Sequence, residues 1–184
     1  RSYEDRSGFR VIFHETNQGK GSAVRTGIRA ATGDAVIIQD ADLEYDPMDY
    51  VSLLKALGSN SVNVVYGSRF LERKDVTTRW HRFVNYFLTG LTNRLFGSKL
   101  TDMETCYKLF RLQTIQGLAI ESDGFEVEVE LTAKSLKNGE KILEVPVSYK
   151  GRSFHEGKKI GWKDGLTAVQ MLFYYRFFHP GSHR

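Results

Sequence analysis

The chain has 184 residues and a net charge of +4, with 41% hydrophobic and 26% charged residues, 3 prolines and one cysteine, Cys106. That length suits one domain with a real core, and the composition excludes a disordered, collagen-like or low-complexity chain. A lone cysteine forms no internal disulfide and fits a reducing compartment; Arg1–Arg10 is too polar for a signal peptide, and no run of 18 apolar residues offers a bilayer span.

In chain order, Arg10–Phe13 reads as a first strand. Ser22–Ala31 reads as a helix, with Gly33 suited to a left-handed cap. Ala35–Ile38 is apolar at every position, the pattern of a strand buried on both faces in a parallel sheet. Asp46-Pro47 opens a helix running to about Leu57, with an N-cap Asp and Pro at the first helical position. Val62–Tyr66 is the next strand, Glu126–Lys137 a helix closed by Asn138-Gly139, and Ile142–Tyr149 the last strand. Glu126, Glu128 and Glu130 spread around their helix and read as a solvated face. Strands alternating with helices predict an α/β sheet.

Two further helices are aromatic. In Trp80–Phe96, Trp80, Phe83, Val84, Phe87, Leu88, Leu91, Leu95 and Phe96 form one stripe, with Arg82, Asn85, Thr89, Asn93 and Arg94 opposite. Trp162–Phe178 is aromatic on nearly all sides toward its end. Both lie in basic segments, for residues 69–99 and 150–184 each carry 7 basic and 2 acidic side chains. Packing on the sheet explains such stripes; aromatic and basic residues together also fit a membrane interface or another anionic partner. The five histidines show no metal-ligand spacing, and no RNA-binding signature points to nucleic acid.

Ala35–Ile38 runs into Gln39-Asp40-Ala41-Asp42-Leu43-Glu44. Ligands of open parallel sheets sit beyond the carboxyl ends of strands. Two carboxylates spaced i, i+2 in an extended turn can share a hard cation, Mg²⁺ or Mn²⁺, with substrate phosphates. A calcium loop counted from Asp40 fails, because Tyr45 and Val51 stand where Gly and Glu are needed. An aspartyl-nucleophile phosphatase and a nucleotide-sugar transferase both remain open on this motif alone.

The surrounding residues are Asn17-Gln18-Gly19-Lys20-Gly21, Gly33-Asp34, Gly67-Ser68-Arg69, Asp102-Met103-Glu104-Thr105-Cys106-Tyr107-Lys108, Val145-Pro146-Val147-Ser148-Tyr149 and Arg152 with Gly157-Lys158-Lys159. In this order and spacing the chain resembles an inverting family-2 glycosyltransferase, and more narrowly the polyprenyl- and dolichyl-phosphate sugar synthases. The resemblance implies a GT-A, Rossmann-like fold with a mostly parallel sheet and flanking helices. It covers about residues 8–176. The family's opening strands, ending in Pro-x-x-Asn-Glu and Asp-Asp-Gly-Ser, have no counterpart here, so the fold is expected to lack its N-terminal βαβ portion. Residues 1–160 would form the transferase domain and 161–184 a membrane-interfacial helix of the same domain. The processive synthases' Gln-x-x-Arg-Trp is absent, since Val76 precedes Arg79-Trp80, which favours a single transfer.

The resemblance further implies a donor of the GDP-mannose or UDP-glucose type and a polyprenyl phosphate acceptor. Asp40, Asp42 and Glu44 would hold the metal. Lys20 and Gly21 are candidates to contact the donor, with holding their turn as the alternative. Asp102 stands where related transferases put the base. Arg69 and Arg152 would position the acceptor phosphate, with Lys158 and Lys159 in the same loop. The enzyme would work peripherally on the cytoplasmic face of a membrane, with or without a membrane partner subunit. A catalytically silent module that binds a membrane or a partner is the alternative.

Overall fold

The computed structural model describes residues 7–59, 61–72, 79–151 and 162–179. Its elements in order are α1 (Lys20–Ala30), β1 (Ala35–Ile37), a 3-10 turn (Pro47–Asp49), α2 (Tyr50–Ser59), β2 (Val64–Ser68), α3 (Arg79–Phe96), β3 (Lys108–Arg111), α4 (Leu112–Gly117), α5 (Val127–Lys137), β4 (Ile142–Pro146) and α6 (Trp162–Phe177). The four strands form one sheet in the order β1-β3-β2-β4. β3 is antiparallel to both neighbours, with Val36 opposite Phe110 and Val65 opposite Leu109. β2 and β4 are parallel. Three strands therefore point one way and β3 points back.

Alternation along the central strands builds two cores. Val64, Tyr66 and Phe110 pack with Ile28, Ile115, Val127 and Leu131 from α1, α4 and α5. Val65 and Leu109 pack on the other face with Leu53, Ala56 and Leu57 of α2. A third cluster joins α3, α5 and α6 through Leu88, Val129, Ala168 and Leu172.

Several expectations hold in detail. Asp46 accepts a hydrogen bond from Met48 N at 2.9 Å, with Pro47 in the first turn. Asn138 caps α5, and Gly139 follows at φ +79°. Others change. Arg10–Phe13 forms no strand: apolar character suffices only where a neighbour offers a ladder, and among the described residues β1 pairs with β3 alone. As an edge strand, Ala35–Ile37 is half-buried rather than sealed on both faces. α1 ends on Ala31 in extended conformation, with no left-handed glycine at Gly33. The short β3 and α4 lie within a stretch that carries no clear period, and the sequence reading passes over both.

α3 buries most of its stripe, Leu88 almost wholly and Val84, Leu91, Leu95 and Phe96 in part, but it also turns polar side chains inward and leaves part of the stripe outside. Asn85 and Thr89 are 6% and 4% exposed, whereas Phe83, Tyr86 and Phe87 are 63%, 78% and 55% exposed. The loop after α3 explains this, because its backbone groups need partners. Thr89 Oγ1 accepts from Met103 N at 3.1 Å, Asn93 Nδ2 donates to Leu100 O at 2.8 Å, and Asn93 Oδ1 accepts from Leu100 N at 2.8 Å. The polar side of α3 is thus spent on holding the segment that carries Asp102.

Candidate active site

β1, β2 and β4 share a direction, so their carboxyl ends meet at one edge of the sheet. Because β3 runs back, the segment preceding it, residues 102–107, arrives at that same edge. Asp40 follows β1, Arg69 follows β2, Tyr149 follows β4, and Lys20 and Glu128 lie in the first turns of α1 and α5.

Lys20 is fixed by its flanking glycines. Gly21 N donates to Asp123 O at 2.7 Å, and a Cβ on Gly21 would stand 2.1 Å from Ser122 O. Gly19, at φ +90°, leaves no room for a side chain against Asp123 O. Gly21 therefore seats α1 on the 122–123 backbone. Lys20 Nζ lies 2.8 Å from Asp40 Oδ2 and 2.8 Å from Glu128 Oε1. Glu128 Oε2 accepts from Lys108 Nζ, which also donates to Met103 O at 3.0 Å and Thr105 O at 2.6 Å. Lys108 is wholly buried and lies over the Tyr66 ring at 5.0 Å. Lys108, Glu128, Lys20 and Asp40 so form a row of alternating charge leading from the core to the acidic motif.

Burial raises the Glu128 carboxyl, but Lys108 and Lys20 more than reverse that and its net pKa is lowered. Desolvation alone would lower Lys20; Glu128, Cys106 and Asp40 hold it above its ordinary value, so it stays charged. The Glu128 carboxylate is a correction to the solvated-face reading, since Glu128 and Glu130 are buried. Glu130 accepts from Glu121 N and Ser122 N, both at 2.8 Å, and from Lys134. α5 is buried from Val127 to Ser135, so its carboxylates find partners inside the protein instead of water.

Asp42 closes its turn by accepting from Glu44 N at 3.1 Å. Between them Leu43 is 90% exposed at φ +61°, a conformation unfavourable for a branched side chain. Glu44 is buried and accepts from Tyr149 OH at 2.7 Å. The three carboxylates sequence reading groups together thus face different neighbours, and among the described residues no three His, Cys, Asp or Glu groups close on one point.

Arg69 and Asp102 form a two-point pair: Nε to Oδ2 at 2.6 Å and Nη2 to Oδ1 at 2.7 Å. Arg69 N also donates to Oδ2 at 3.1 Å. Asp102 is fully buried, and its own N–H donates to Glu144 at 2.9 Å. The guanidinium lies over the Tyr149 ring at 5.1 Å. The fork that would grip a phosphate is therefore occupied by Asp102. Arg152, Lys158 and Lys159 lie outside the described residues.

Sequence reading misses Glu128 and Glu144 as site-bordering groups. The available signal is weak: an acidic first turn on α5, which the helix dipole also favours on a solvated helix. Glu104 is also missed. Its Oε1 is sealed without a hydrogen-bond partner, and burial, partly offset by Lys108, pushes its pKa up to about 6. A carboxyl with a raised folded-state pKa binds its proton more tightly folded than unfolded, so stability falls as pH rises from about 4.5 to 6. Glu104→Gln is expected to raise urea-unfolding stability by about 2 kcal/mol at pH 8 and to leave it unchanged at pH 4. An equal gain at both pH values would rule out this origin.

Residues 1–118 match glycosyl transferase family 2. An undecaprenyl-phosphate mannosyltransferase of Micrococcus luteus is 28% identical over 180 residues, covering 93% of this chain and 72% of the relative. A dolichol-phosphate mannosyltransferase of Pyrococcus furiosus is 27% identical over 157 residues, covering 83% of this chain but only 44% of the relative. In structure, glucosyl-3-phosphoglycerate synthase from Mycobacterium tuberculosis in complex with UDP gives a TM-score of 0.65 at 17% identity, over 88% of this chain and 56% of that one. The same synthase with Mn²⁺ and UDP-glucose gives 0.60 at 20% identity, over 89% and 56%. The chain thus spans little more than half the length of these structures. The mixed α/β sheet with its flanking helices is that of the GT-A fold, and with the match over its first 118 residues the chain belongs to glycosyl transferase family 2.

Proposed function

We propose that the chain carries the metal and acceptor side of an inverting glycosyltransferase that moves one sugar from a nucleotide-diphosphate donor to a polyprenyl phosphate. The observation that carries this reading is the Lys20–Asp40 ion pair at the carboxyl end of β1, with Asp42 two residues further along the same turn, beside the ends of β2 and β4. The names of the Micrococcus and Pyrococcus relatives support the acceptor class.

The donor set suits a hard divalent cation. Asp40 and Asp42 are half-exposed oxygen ligands on one turn, and Mg²⁺ or Mn²⁺ is commonly held by one or two carboxylates with phosphates completing the shell. When bound, the metal would offset the negative charge of the departing diphosphate. Glu44, turned to Tyr149, would support the turn from behind. Lys20 would hold Asp40. A phosphate monoester has a second pKa of about 6 and is largely ionised at neutral pH, so no strong base is required. We therefore assign Asp102 and Arg69 the task of shaping the acceptor side as a locked pair. Arg152, Lys158 and Lys159 are proposed to meet the acceptor phosphate.

Incubating the protein with radiolabelled GDP-mannose or UDP-glucose, undecaprenyl or dolichyl phosphate and Mn²⁺ is expected to give a labelled lipid, lost on chelation. No label with any donor would favour the silent binding module.

We place the protein peripherally on the cytoplasmic face of a membrane. No helix among the described residues is long and apolar enough to cross one. The outward Phe83, Tyr86 and Phe87 of α3, flanked by exposed Arg82 and Arg94, suit the headgroup boundary. Flotation with anionic liposomes at low salt is expected to carry the protein upward. Phe83→Asp combined with Phe87→Asp should cut binding by about tenfold or more. Absence of binding by the unaltered protein would sink this placement.

A further inference from the structure

Resting on the reading of Asp40 and Asp42 as the metal-holding pair, we infer that Lys20 is a resident counter-cation of Asp40, which keeps a divalent ion weakly bound until the donor's diphosphate brings its own negative charge.

The geometry is specific. The Lys20 ammonium is 2.8 Å from Asp40 Oδ2 and 2.8 Å from Glu128 Oε1, with its side chain 14% exposed. It cannot retreat with its helix, because Gly19 and Gly21 pin the start of α1 against the backbone of Ser122 and Asp123. Its ammonium lies between Asp40 and one oxygen of Glu128, whose other oxygen holds Lys108. Lys108, Glu128, Lys20 and Asp40 carry two positive and two negative charges and balance among themselves. A divalent ion arriving alone therefore meets Asp40 with its charge already countered and an ammonium beside it. On that turn Asp42 adds a further negative charge, while the Glu44 carboxylate is turned to Tyr149 OH. In a half-buried setting this repulsion is screened far less than in water. A diphosphate reverses the balance, because its charge attracts the ion and the ammonium together. Metal and donor then enter as one unit, and the ion is not held when no leaving group is present.

The test titrates Mn²⁺ alone and follows the electron paramagnetic resonance signal of the free ion. Lys20→Met removes the competing charge while leaving Glu128 paired with Lys108. It is expected to tighten Mn²⁺ binding by about tenfold or more, whereas Lys20→Arg, which keeps the charge, should bind as weakly as the unaltered protein. A merely structural lysine would give the opposite sign, since loosening the turn weakens metal binding. Binding by Lys20→Met that is equal to or weaker than the unaltered protein's overturns the inference. Should Lys20→Met fail to fold, Lys20→Gln decides by the same sign: it keeps a hydrogen-bond donor toward Asp40 without the charge, and Mn²⁺ binding equal to or weaker than the unaltered protein's overturns the inference. The two readings fail separately. Tight Mn²⁺ binding unaffected by Lys20→Met removes only the counter-cation role. No Mn²⁺ binding by any variant, with sugar transfer proceeding under chelation, removes the metal assignment and this inference together.

Discussion

Asp42→Asn is expected to lower sugar transfer by about a hundredfold or more, with little change in folding stability. The two halves of that expectation have separate causes. Asp42 Oδ1 accepts from Glu44 N, and an Asn side-chain carbonyl accepts the same bond, so the turn and Leu43's left-handed backbone persist. What disappears is one negative charge at the place where the leaving diphosphate must be held. Charge stabilisation of this kind acts most strongly as the bond breaks, so kcat should fall more than the donor's KM rises. Transfer of radiolabel to the lipid acceptor, with urea unfolding as control, checks both. Full activity in Asp42→Asn refutes the metal role.

Glu128→Ala is expected to destabilise the protein by about 3–5 kcal/mol, the largest stability loss among these changes. The variant leaves Lys108 wholly buried, bonded to Met103 O and Thr105 O but without its ion-pair partner. Removing one member of a buried pair costs more than the pair contributes, because the remaining charge stays desolvated. Changing Lys108→Met and Glu128→Leu together should therefore recover most of the loss, while Lys20 remains paired with Asp40. The pH dependence has a definite sign. Since Glu128 has a lowered pKa in the folded protein, its contribution is fully present above the ordinary carboxylate value of 4.5 and is lost as pH falls below it. A urea midpoint for Glu128→Ala within experimental error of the unaltered protein would show that Lys108 needs no counter-ion.

Much of the fold is legible in the sequence because helix periods and caps are local. Asp46-Pro47 and Asn138-Gly139 mark real boundaries for that reason. The proposed Asp40 and Asp42 pair suggests itself for another reason: a strand end followed by two carboxylates is a short-range pattern with a stereochemical meaning. The Arg69–Asp102 pair joins residues 33 apart, and Glu128 meets Lys20 across more than a hundred. No period or spacing records such meetings, because the sheet order creates them. α3 departs from its stripe only in part. Its apolar stripe is real, yet the orphan amides of residues 100 and 103 draw Asn93 and Thr89 inward and leave Phe83 and Phe87 outside. Arg10–Phe13 shows the converse, for its composition suits a strand and pairing decides the outcome.

The reversed direction of β3 has a consequence for how the protein tolerates change. Lys108 opposes Tyr66 in the ladder, and that register aims its ammonium at Glu128. A slip of one residue, about 3.4 Å, would turn Lys108 to the opposite face of the sheet, toward Leu53 and Leu57 of α2, and bring an apolar neighbour to Glu128. Insertions or deletions in residues 97–107 are thus not ordinary loop edits. They act as frameshifts in space, converting a change of length outside the strand into a misdirected charge inside the site.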